Sequence, residues 1–387
     1  MSILGQTVAN HQTRSGHQGG IDTGNVNPLH IDEYGGEVEH RFLKESFMRQ
    51  FFNFKSVRGT DTVTNDRMGH TQLQKVTRGV RPVDHSPTFD NISVKVDTIV
   101  LARTNTFLLE EFQEHFDTRM EIGKEHGMEI GKFFDEAFLV QGIKASQITN
   151  RTPVKDASGA VTGTADNGGF YDAVYVDRAG LGDATAVETA TRLLSPTRTR
   201  TAPEGFQGAT SVILNNVDDE IDPVALELSI QDMCQRIEEK DVDVENGVIL
   251  LRPAQYYTLL RNQLLIDKDF STANGDYAKG QILASNGVRI QKTNRFPTEI
   301  NVDGTNDHYL SNAGNGLAYN VTAVDIKAMA VLLMPKALLA GETIPLTSKV
   351  YYVDQEFQWF IDSYLSFGVT PNRAEMAAAI YTKAVGV

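Results

Sequence analysis

The feature that most constrains this chain is a long acidic helix candidate preceded by a basic, weakly hydrophobic stretch. Residues 55–90 contain six basic and four acidic side chains, and residues 110–136 contain three basic and nine acidic ones. A 36-residue stretch with so few large apolar residues buries too little surface to fold alone, so contacts outside it must hold it. Because the two segments have opposite charge, we predict that residues 55–90 bind a neighbouring copy of the same chain.

The predicted contact joins basic side chains of the stretch to acidic side chains of the helix. The basic candidates are Arg67, Lys75, Arg78 and Arg81, and the acidic candidates are Glu114, Glu121, Glu125 and Glu129. Exposed ion pairs contribute only about 0–1 kcal/mol each, so several pairs must act together.

Three glycines interrupt the apolar stripe of the same helix candidate. Gly123, Gly127 and Gly131 follow one another at four-residue spacing. Each costs about 1 kcal/mol relative to Ala inside a helix, so the pattern predicts close approach of another backbone or a bend. Small residues at this spacing also occur in membrane helix pairs, but the flanking charges exclude a membrane span here.

Composition limits the class of protein. With 387 residues, 41% of them hydrophobic, the chain can form one large domain or two to three smaller ones. A net charge of −14 argues against tight wrapping by nucleic acid, while weak contact with DNA stays open. Because the sequence lacks both a long apolar run and the pattern of a signal peptide, we expect a soluble protein made in the cytoplasm. The single cysteine, Cys234, lies on an apolar helical face, which favours a core residue over a nucleophile.

Hydrophobic periodicity divides the chain further. Residues 1–35 have no periodicity and are typical of an extended arm, and residues 37–54 have the spacing of a short amphipathic helix. Turn signals within 55–90 predict a long two-stranded loop that projects from the body of the protein, called the excursion below. Apolar and polar residues alternate over 92–102, which predicts a strand that follows it. Residues 145–215 have low hydrophobicity and are predicted to form surface strands and loops.

The second half alternates helix and strand patterns. A helix over 222–239, a buried strand over 248–251 and a helix opened by Pro253 predict a compact α/β subdomain. Alternation over 351–367 predicts one strand about three times the usual length of ~5–6 residues, and therefore an elongated body. The predicted fold class is α+β.

The sequence contains few residues in patterns typical of a catalytic or metal site. His115 and His126 fall on nearly the same helical face, near Glu111 and Glu125, but they lack the one-turn spacing usual for zinc ligands on a helix. Nucleophile and phosphate-binding motifs are absent from the sequence. We predict that the protein is not an enzyme and has no cofactor, and we keep a soluble metal-dependent enzyme as a minor alternative.

The order of these segments resembles that of a known family, the tailed-phage major capsid proteins with the HK97-type fold. Within that family the chain is most similar to the proteins of T7-like short-tailed phages. The segments that carry the resemblance are 35–38, 69–81, 110–139, 250–256 and 372–380.

The resemblance implies a division into named parts. These are an N-terminal arm and short helix (1–54), an E-loop (55–90), a P-domain (91–215) with a spine helix at about 108–144, an A-domain (216–345), a long P-domain strand (346–367) and a C-terminal segment that returns to the A-domain (368–387). In that family the E-loop lies across the P-domain of a neighbour, which agrees with the charge argument.

The resemblance also implies a function. The expected protein self-assembles into hexamers and pentamers of an icosahedral shell that encloses double-stranded phage DNA, and it is part of the virion. Expected partners are other copies of the chain, a portal protein, a separate scaffolding protein, an optional cement protein and weakly contacted DNA, but no membrane. An encapsulin-type compartment shell has the same fold and is the main alternative.

Overall fold

The structure is a computed structural model, and it describes much of the chain from residue 38 onward. The described residues are 38–69, 75–76, 78–79, 81, 89–111, 118–155, 161–166, 201–202, 208–214, 216–261, 275–276, 281–282, 284–301 and 307–383. The predicted arm at 1–35, Glu114, His115 and much of 145–215 lie outside these residues.

Helices and strands alternate irregularly along the chain. The α-helices of the described part are α1 (38–45), α2 (Met48–Phe51), α3 (Leu108–Glu111), α4 (Thr118–Ala145), α5 (Pro223–Glu238) and α6 (Pro253–Leu259). The strands are β1 (Phe54–Ser56), β2 (Thr62–Met68), β3 (Phe89–Lys95), β4 (Val100–Phe107), β5 (Thr149–Lys155), β6 (Val161–Asp166), β7 (Thr201–Ala202), β8 (Thr210–Ile213), β9 (Val248–Leu251), β10 (Gly275–Asp276), β11 (Gln281–Ile282), β12 (Ala284–Ser285), β13 (Val288–Lys292), β14 (Ala328–Leu333), β15 (Leu338–Val353), β16 (Gln358–Pro371) and β17 (Ala377–Tyr381).

A six-stranded mixed sheet forms the centre of the second half, with strand order β12-β13-β9-β14-β17-β8. Successive residues of a strand point to opposite faces, so the run Val248–Leu251 supplies both sides of the sheet. Val248 and Leu250 join a core cluster with α4, while Ile249 and Leu251 join a second cluster with α5 and α6. The sheet is therefore a middle layer with helices on both faces.

The predicted single strand at 346–367 is wrong, because the chain reverses within it. β15 and β16 pair antiparallel as a long hairpin, and Val353 and Gln358 are the last paired residues before the turn. The turn contains Phe357, whose φ is +51°. Apolar alternation continues on both sides of the polar residues 354–356, so the pattern alone did not reveal the reversal.

This hairpin lies in a four-stranded sheet with order β1-β15-β16-β4. Since β1 pairs parallel with β15, residues 54–56 belong to the sheet, and the predicted excursion begins after them rather than at residue 55. The excursion continues past residue 90, because β2 pairs with β3 as far as Lys95. The strand predicted over 92–102 is thus two strands, β3 in the excursion and β4 in the sheet.

Helix α4 packs against both the four-stranded and the six-stranded sheet. It ends one residue beyond the predicted end of the spine helix, and α3 begins at the predicted start, while residues 112–117 between them lie outside the described part. The C-terminal half of α4 is buried, and Phe134, Phe138 and Ile143 contribute to the largest core cluster with residues of both sheets. In the described part, no helix is long and apolar enough to cross a membrane.

Candidate assembly surfaces

The outer end of the β2–β3 hairpin exposes an apolar pair. Met68 and Phe89 are directly paired across the strands, and they are 50% and 72% exposed. A lone two-stranded hairpin is only marginally stable in water, and neighbouring exposed apolar side chains often mark a contact surface. The outer end of the hairpin is therefore a candidate surface for contact with another molecule.

The base of the hairpin, in contrast, is packed on the chain's own long sheet. Gly341 of β15 and Gly368 of β16 lie opposite each other. A Cβ atom on Gly368 would lie 2.8 Å from the carbonyl oxygen of Lys95, and one on Gly341 would lie 3.3 Å from Cγ1 of Val94. The two glycines therefore form a notch that receives the end of β3. Glycine is unfavourable inside a strand, and this signal in the sequence could have identified the notch.

The basic residues predicted to bind a neighbour fall into two groups. Arg67 donates a hydrogen bond to the backbone carbonyl of Asn372, and the Asn65 side-chain amide donates to the Asn372 side-chain oxygen at 3.0 Å. Arg67 thus helps to hold the hairpin on its own subunit. The other three, which lie beyond the end of β2 and are exposed, are Lys75, Arg78 and Arg81.

The acidic candidates of α4 lie on its exposed side. Glu121 forms an ion pair with Lys124 at 3.0 Å, and Glu129 forms one with Lys132. Glu125 is exposed as well, and Glu114 lies outside the described residues. Ion pairs between exposed groups within one helix contribute little, so these carboxylates can exchange partners at low cost.

Two of the three helix glycines face α1. A Cβ atom on Gly127 would lie 2.6 Å from the carbonyl oxygen of Val38, and one on Gly131 would lie 3.2 Å from Cβ of Glu45. Gly123 is buried too. At Gly127 the nearest atom is thus a backbone carbonyl of the same chain, whereas at Gly131 it is the side chain of Glu45.

The N-terminal helices are also held through a buried carboxylate. Asp135 of α4 accepts hydrogen bonds from the Ser46 hydroxyl at 2.7 Å, from the Phe47 amide at 3.0 Å and from the Met48 amide at 3.2 Å. Burial raises the pKa of Asp135, and these donors partly offset that rise. Asp135 therefore fixes the start of α2 on the side of α4. The sequence did not reveal this role, because the partners are 87 to 89 residues apart.

The outer face of the four-stranded sheet carries a charged pair. Arg103 of β4 donates two hydrogen bonds to Asp362 of β16, both of 2.7 Å, and the Tyr351 hydroxyl donates to the same carboxylate at 3.1 Å. The hydrogen bonds from Arg103 are the largest of the effects that lower the pKa of Asp362. The Arg103–Asp362 pair links the edge strand β4 to strand β16 of the long β15–β16 hairpin.

A cleft of about 620 Å³ lies between α4, β4 and residues 294–301. Its lining includes apolar side chains of Leu101, Phe133 and Tyr309. Three acidic and two basic side chains also line it, namely Glu129, Glu136, Glu299, Lys132 and Arg295. Since β4 is also the end strand of its sheet, this cleft is a candidate acceptor for an extended, basic segment.

His126 and Cys234 both lie in the packed interior of the subunit. His126 lies with Nε2 at 2.8 Å from the Thr104 hydroxyl oxygen and Nδ1 at 3.4 Å from that of Ser363, and burial lowers its pKa. The described residues contain no group of three or more histidine, cysteine or acidic side chains that could hold a metal ion. Cys234 is buried, and this burial raises the pKa of its thiol to about 11, so at neutral pH it is not the reactive thiolate.

Comparison with known proteins identifies this architecture. A family model described as "Gp10A-like: Major capsid protein" matches residues 182–337. The mature capsid of bacteriophage PhiM1 is similar in structure, with a TM-score of 0.63, 20% identity, and coverage of 95% of this chain and 91% of that one. The capsid of cyanophage P-SCSP1u gives a TM-score of 0.64, 13% identity, and coverage of 88% and 89%. No curated protein matches the sequence significantly.

The class of protein follows from these comparisons. The chain has the α+β fold of HK97-type phage capsid proteins, which confirms the predicted fold class. The family model and the capsid structures support the predicted phage shell protein, a component of the virion, and they indicate a structural rather than an enzymatic role. Both of these structural neighbours are capsids.

Proposed function

We propose that this chain is the major capsid protein of a T7-like short-tailed phage and forms the hexamers and pentamers of an icosahedral shell around double-stranded DNA. The observation that carries the proposal is the β2–β3 hairpin. Its base packs on the chain's own sheet, while its outer end exposes an apolar pair and three basic side chains. Such a segment gains stability mainly by lying on a neighbour.

In this proposal the hairpin is the E-loop, and it lies across the P-domain of an adjacent subunit. The acceptor is the cleft beside α4, because its acidic side chains complement Lys75, Arg78 and Arg81. The P-domain consists of α4 and the long hairpin β15–β16, and the A-domain is built on the six-stranded sheet. The strand β17 returns the end of the described chain to that sheet.

We assign further partners by the needs of such a shell. A separate scaffolding protein directs assembly, a portal protein occupies one vertex, and an optional cement protein binds the finished shell. Contact with the packaged DNA is weak and non-specific, since a net charge of −14 opposes tight binding.

Electron microscopy of the expressed protein tests the proposal. The chain is expressed alone and together with its scaffolding protein, and particles are collected by sedimentation and imaged in negative stain. We expect closed, angular shells of uniform diameter. Subunits that stay monomeric in both conditions would contradict the proposal, and shells that enclose a protein cargo instead of taking up DNA through a portal would favour a compartment shell.

A further inference from the structure

Helix α5 presents an apolar stripe to solvent. Ile221, Val224 and Leu228 are 69%, 50% and 58% exposed. Val224 and Leu228 are four residues apart and lie on one side of α5, Ile221 lies two residues before the helix begins, and the opposite side of α5 packs on the six-stranded sheet. The packed side contains Leu226, Ile230, Met233, Cys234 and Ile237.

Acidic side chains border this stripe. Asp218, in the turn just before α5, is exposed, and Glu227 is half-buried beside Leu228. We call Asp218, Ile221, Val224, Glu227 and Leu228 the acidic stripe. Two copies of it facing each other would bring like charges together, which is unfavourable, so an identical surface is not its partner.

A complementary surface is present on α6 and β13. Tyr257 is 49% exposed, and the Lys292 ammonium lies 3.1 Å from its hydroxyl oxygen and 5.0 Å from its ring centroid. Arg261, just beyond the end of α6, is exposed. We call Tyr257, Arg261 and Lys292 the basic patch. Its aromatic ring and two cations fit an apolar stripe bordered by carboxylates.

The two surfaces lie toward opposite ends of the sheet. Helix α5, with the acidic stripe, packs on β8 and β17, and β8 is the last strand at one end. The basic patch includes Lys292 of β13, which is the second strand from the other end. Helices α5 and α6 are neighbours over the same sheet, so the two surfaces are different patches of one domain. Contacts between different patches are head-to-tail, and these close into rings when the rotation allows.

We propose that the acidic stripe of one subunit packs against the basic patch of the next around each hexamer and pentamer. This inference rests on the proposed function, because it assigns residues to the ring contact of the shell. The apolar side chains supply the buried area, and the charges fix the order stripe to patch and exclude stripe to stripe.

Charge reversal of each surface tests the contact. The stripe variant carries Asp218→Lys and Glu227→Lys, and the patch variant carries Arg261→Glu and Lys292→Glu. We expect each variant to remain folded but to yield at least about tenfold fewer shells than the original chain. The control for the stripe variant is Glu238→Lys with Glu239→Lys, which makes the same charge change at the far end of α5 and should leave the yield of shells unchanged.

Combining the variants gives a sharper test. One chain with all four substitutions regains opposite charges at every contact, so we expect closed shells again. An equimolar mixture of the stripe and patch variants can match charges only by alternating around a ring. A ring in which the two variants alternate needs an even number of subunits, so it can close as a hexamer but not as a pentamer. The mixture should therefore give open sheets or tubes rather than closed shells.

The outcomes separate this inference from the proposed function. If the original chain forms no shells, the proposed function fails and this inference fails with it. If the original chain forms shells and the stripe or patch variant does so at the same yield, only the inference fails. Circular dichroism and the melting temperature of each subunit establish that it is folded, and a folded four-substitution chain that forms no shells would also overturn the inference.

Discussion

At the scale of single residues, glycine determines where two backbones meet. Gly127 and Gly131 lie in the same helix and face α1, so replacement by alanine gives the same gain in helix propensity of about 1 kcal/mol at each. Their surroundings differ, because only at Gly127 would the new Cβ atom lie as close as 2.6 Å to a carbonyl oxygen.

Gly127→Ala is therefore expected to lower the free energy of unfolding of the subunit by about 1–2 kcal/mol, since α1 must move. Gly131→Ala is the matched control, because its Cβ atom would lie 3.2 Å from Cβ of Glu45, where a small shift suffices. Urea unfolding of both variants measures the difference. Equal stability of the two would mean that the close contact at Gly127 has no energetic consequence.

The Arg103–Asp362 pair gives a prediction about pH. The pKa of Asp362 is lowered in the folded chain, chiefly by the hydrogen bonds from Arg103. Its stabilising effect is therefore present above the unfolded pKa of about 3.9 and is lost as the pH falls toward the lower folded value. Because Arg103 is half-exposed, Arg103→Gln should cost only about 1 kcal/mol at pH 7.

This cost should decrease steadily as the pH falls below about 4. Unfolding of the unassembled subunit, measured at a series of pH values, tests the expectation. In the background of Asp362→Asn, the same Arg103→Gln change should have an effect that does not vary over this range. A cost of Arg103→Gln that stays constant down to pH 3 in the original background would rule out the ion pair as its source.

At the scale of helices and strands, local signals decided what could be predicted from the sequence. Helix α5 has Pro223 in its first turn, and the Asp222 side chain accepts a hydrogen bond from the Val224 amide, so its start was predicted within one residue. The buried strand β9 agrees with its apolar run 248–251. Both signals are contained in a few neighbouring residues.

Features set by distant contacts were missed. The split between β3 and β4 depends on the notch formed by Gly341 and Gly368, more than 240 residues further along the chain. The reversal between β15 and β16 occurs at polar residues 354–356, and the apolar alternation resumes beyond them with the same spacing. In the candidate site, the contact of the basic residues with a neighbour stays a prediction made from charge alone, while the attachment of Arg67 to Asn372 required the fold.

The basic side chains of the β2–β3 hairpin give a prediction about shell assembly. Replacing Lys75, Arg78 and Arg81 together by Glu should strongly reduce shell yield and leave the melting temperature of the subunit unchanged, because these side chains are exposed. Each exposed pair contributes about 0–1 kcal/mol, so the triple change is needed. Shells are counted by sedimentation and electron microscopy.

The control for the hairpin variant is a triple substitution elsewhere on the surface. Lys44, Lys336 and Lys349 are exposed and lie outside the β2–β3 hairpin, so their replacement by Glu changes the net charge equally. Shell yields that fall to the same extent in both triples would attribute the loss to net charge rather than to a contact of the hairpin.

At the scale of the whole molecule, stability is distributed unevenly. The C-terminal half of α4 packs against both sheets, and buried Lys144 near its end donates hydrogen bonds of 2.5 Å to the carbonyls of Ala318 and Asn320. The central strands β9, β14 and β17 are almost wholly buried. The β2–β3 hairpin, in contrast, has exposed or half-buried side chains over most of β2. A rigid centre thus carries a weakly supported hairpin.

Amide hydrogen exchange should distinguish the buried central strands from the β2–β3 hairpin. In the free subunit we expect the slowest exchange in β9, β14 and β17, whose opening requires global unfolding, and fast exchange in β2 and β3. If the outer end of the hairpin lies on a neighbour in the shell, assembly should slow exchange in β2 and β3 by at least about tenfold and leave β9, β14 and β17 unchanged. Equal hairpin exchange in free subunits and in shells would show that assembly does not cover it, and the Lys75, Arg78 and Arg81 contact would then be excluded.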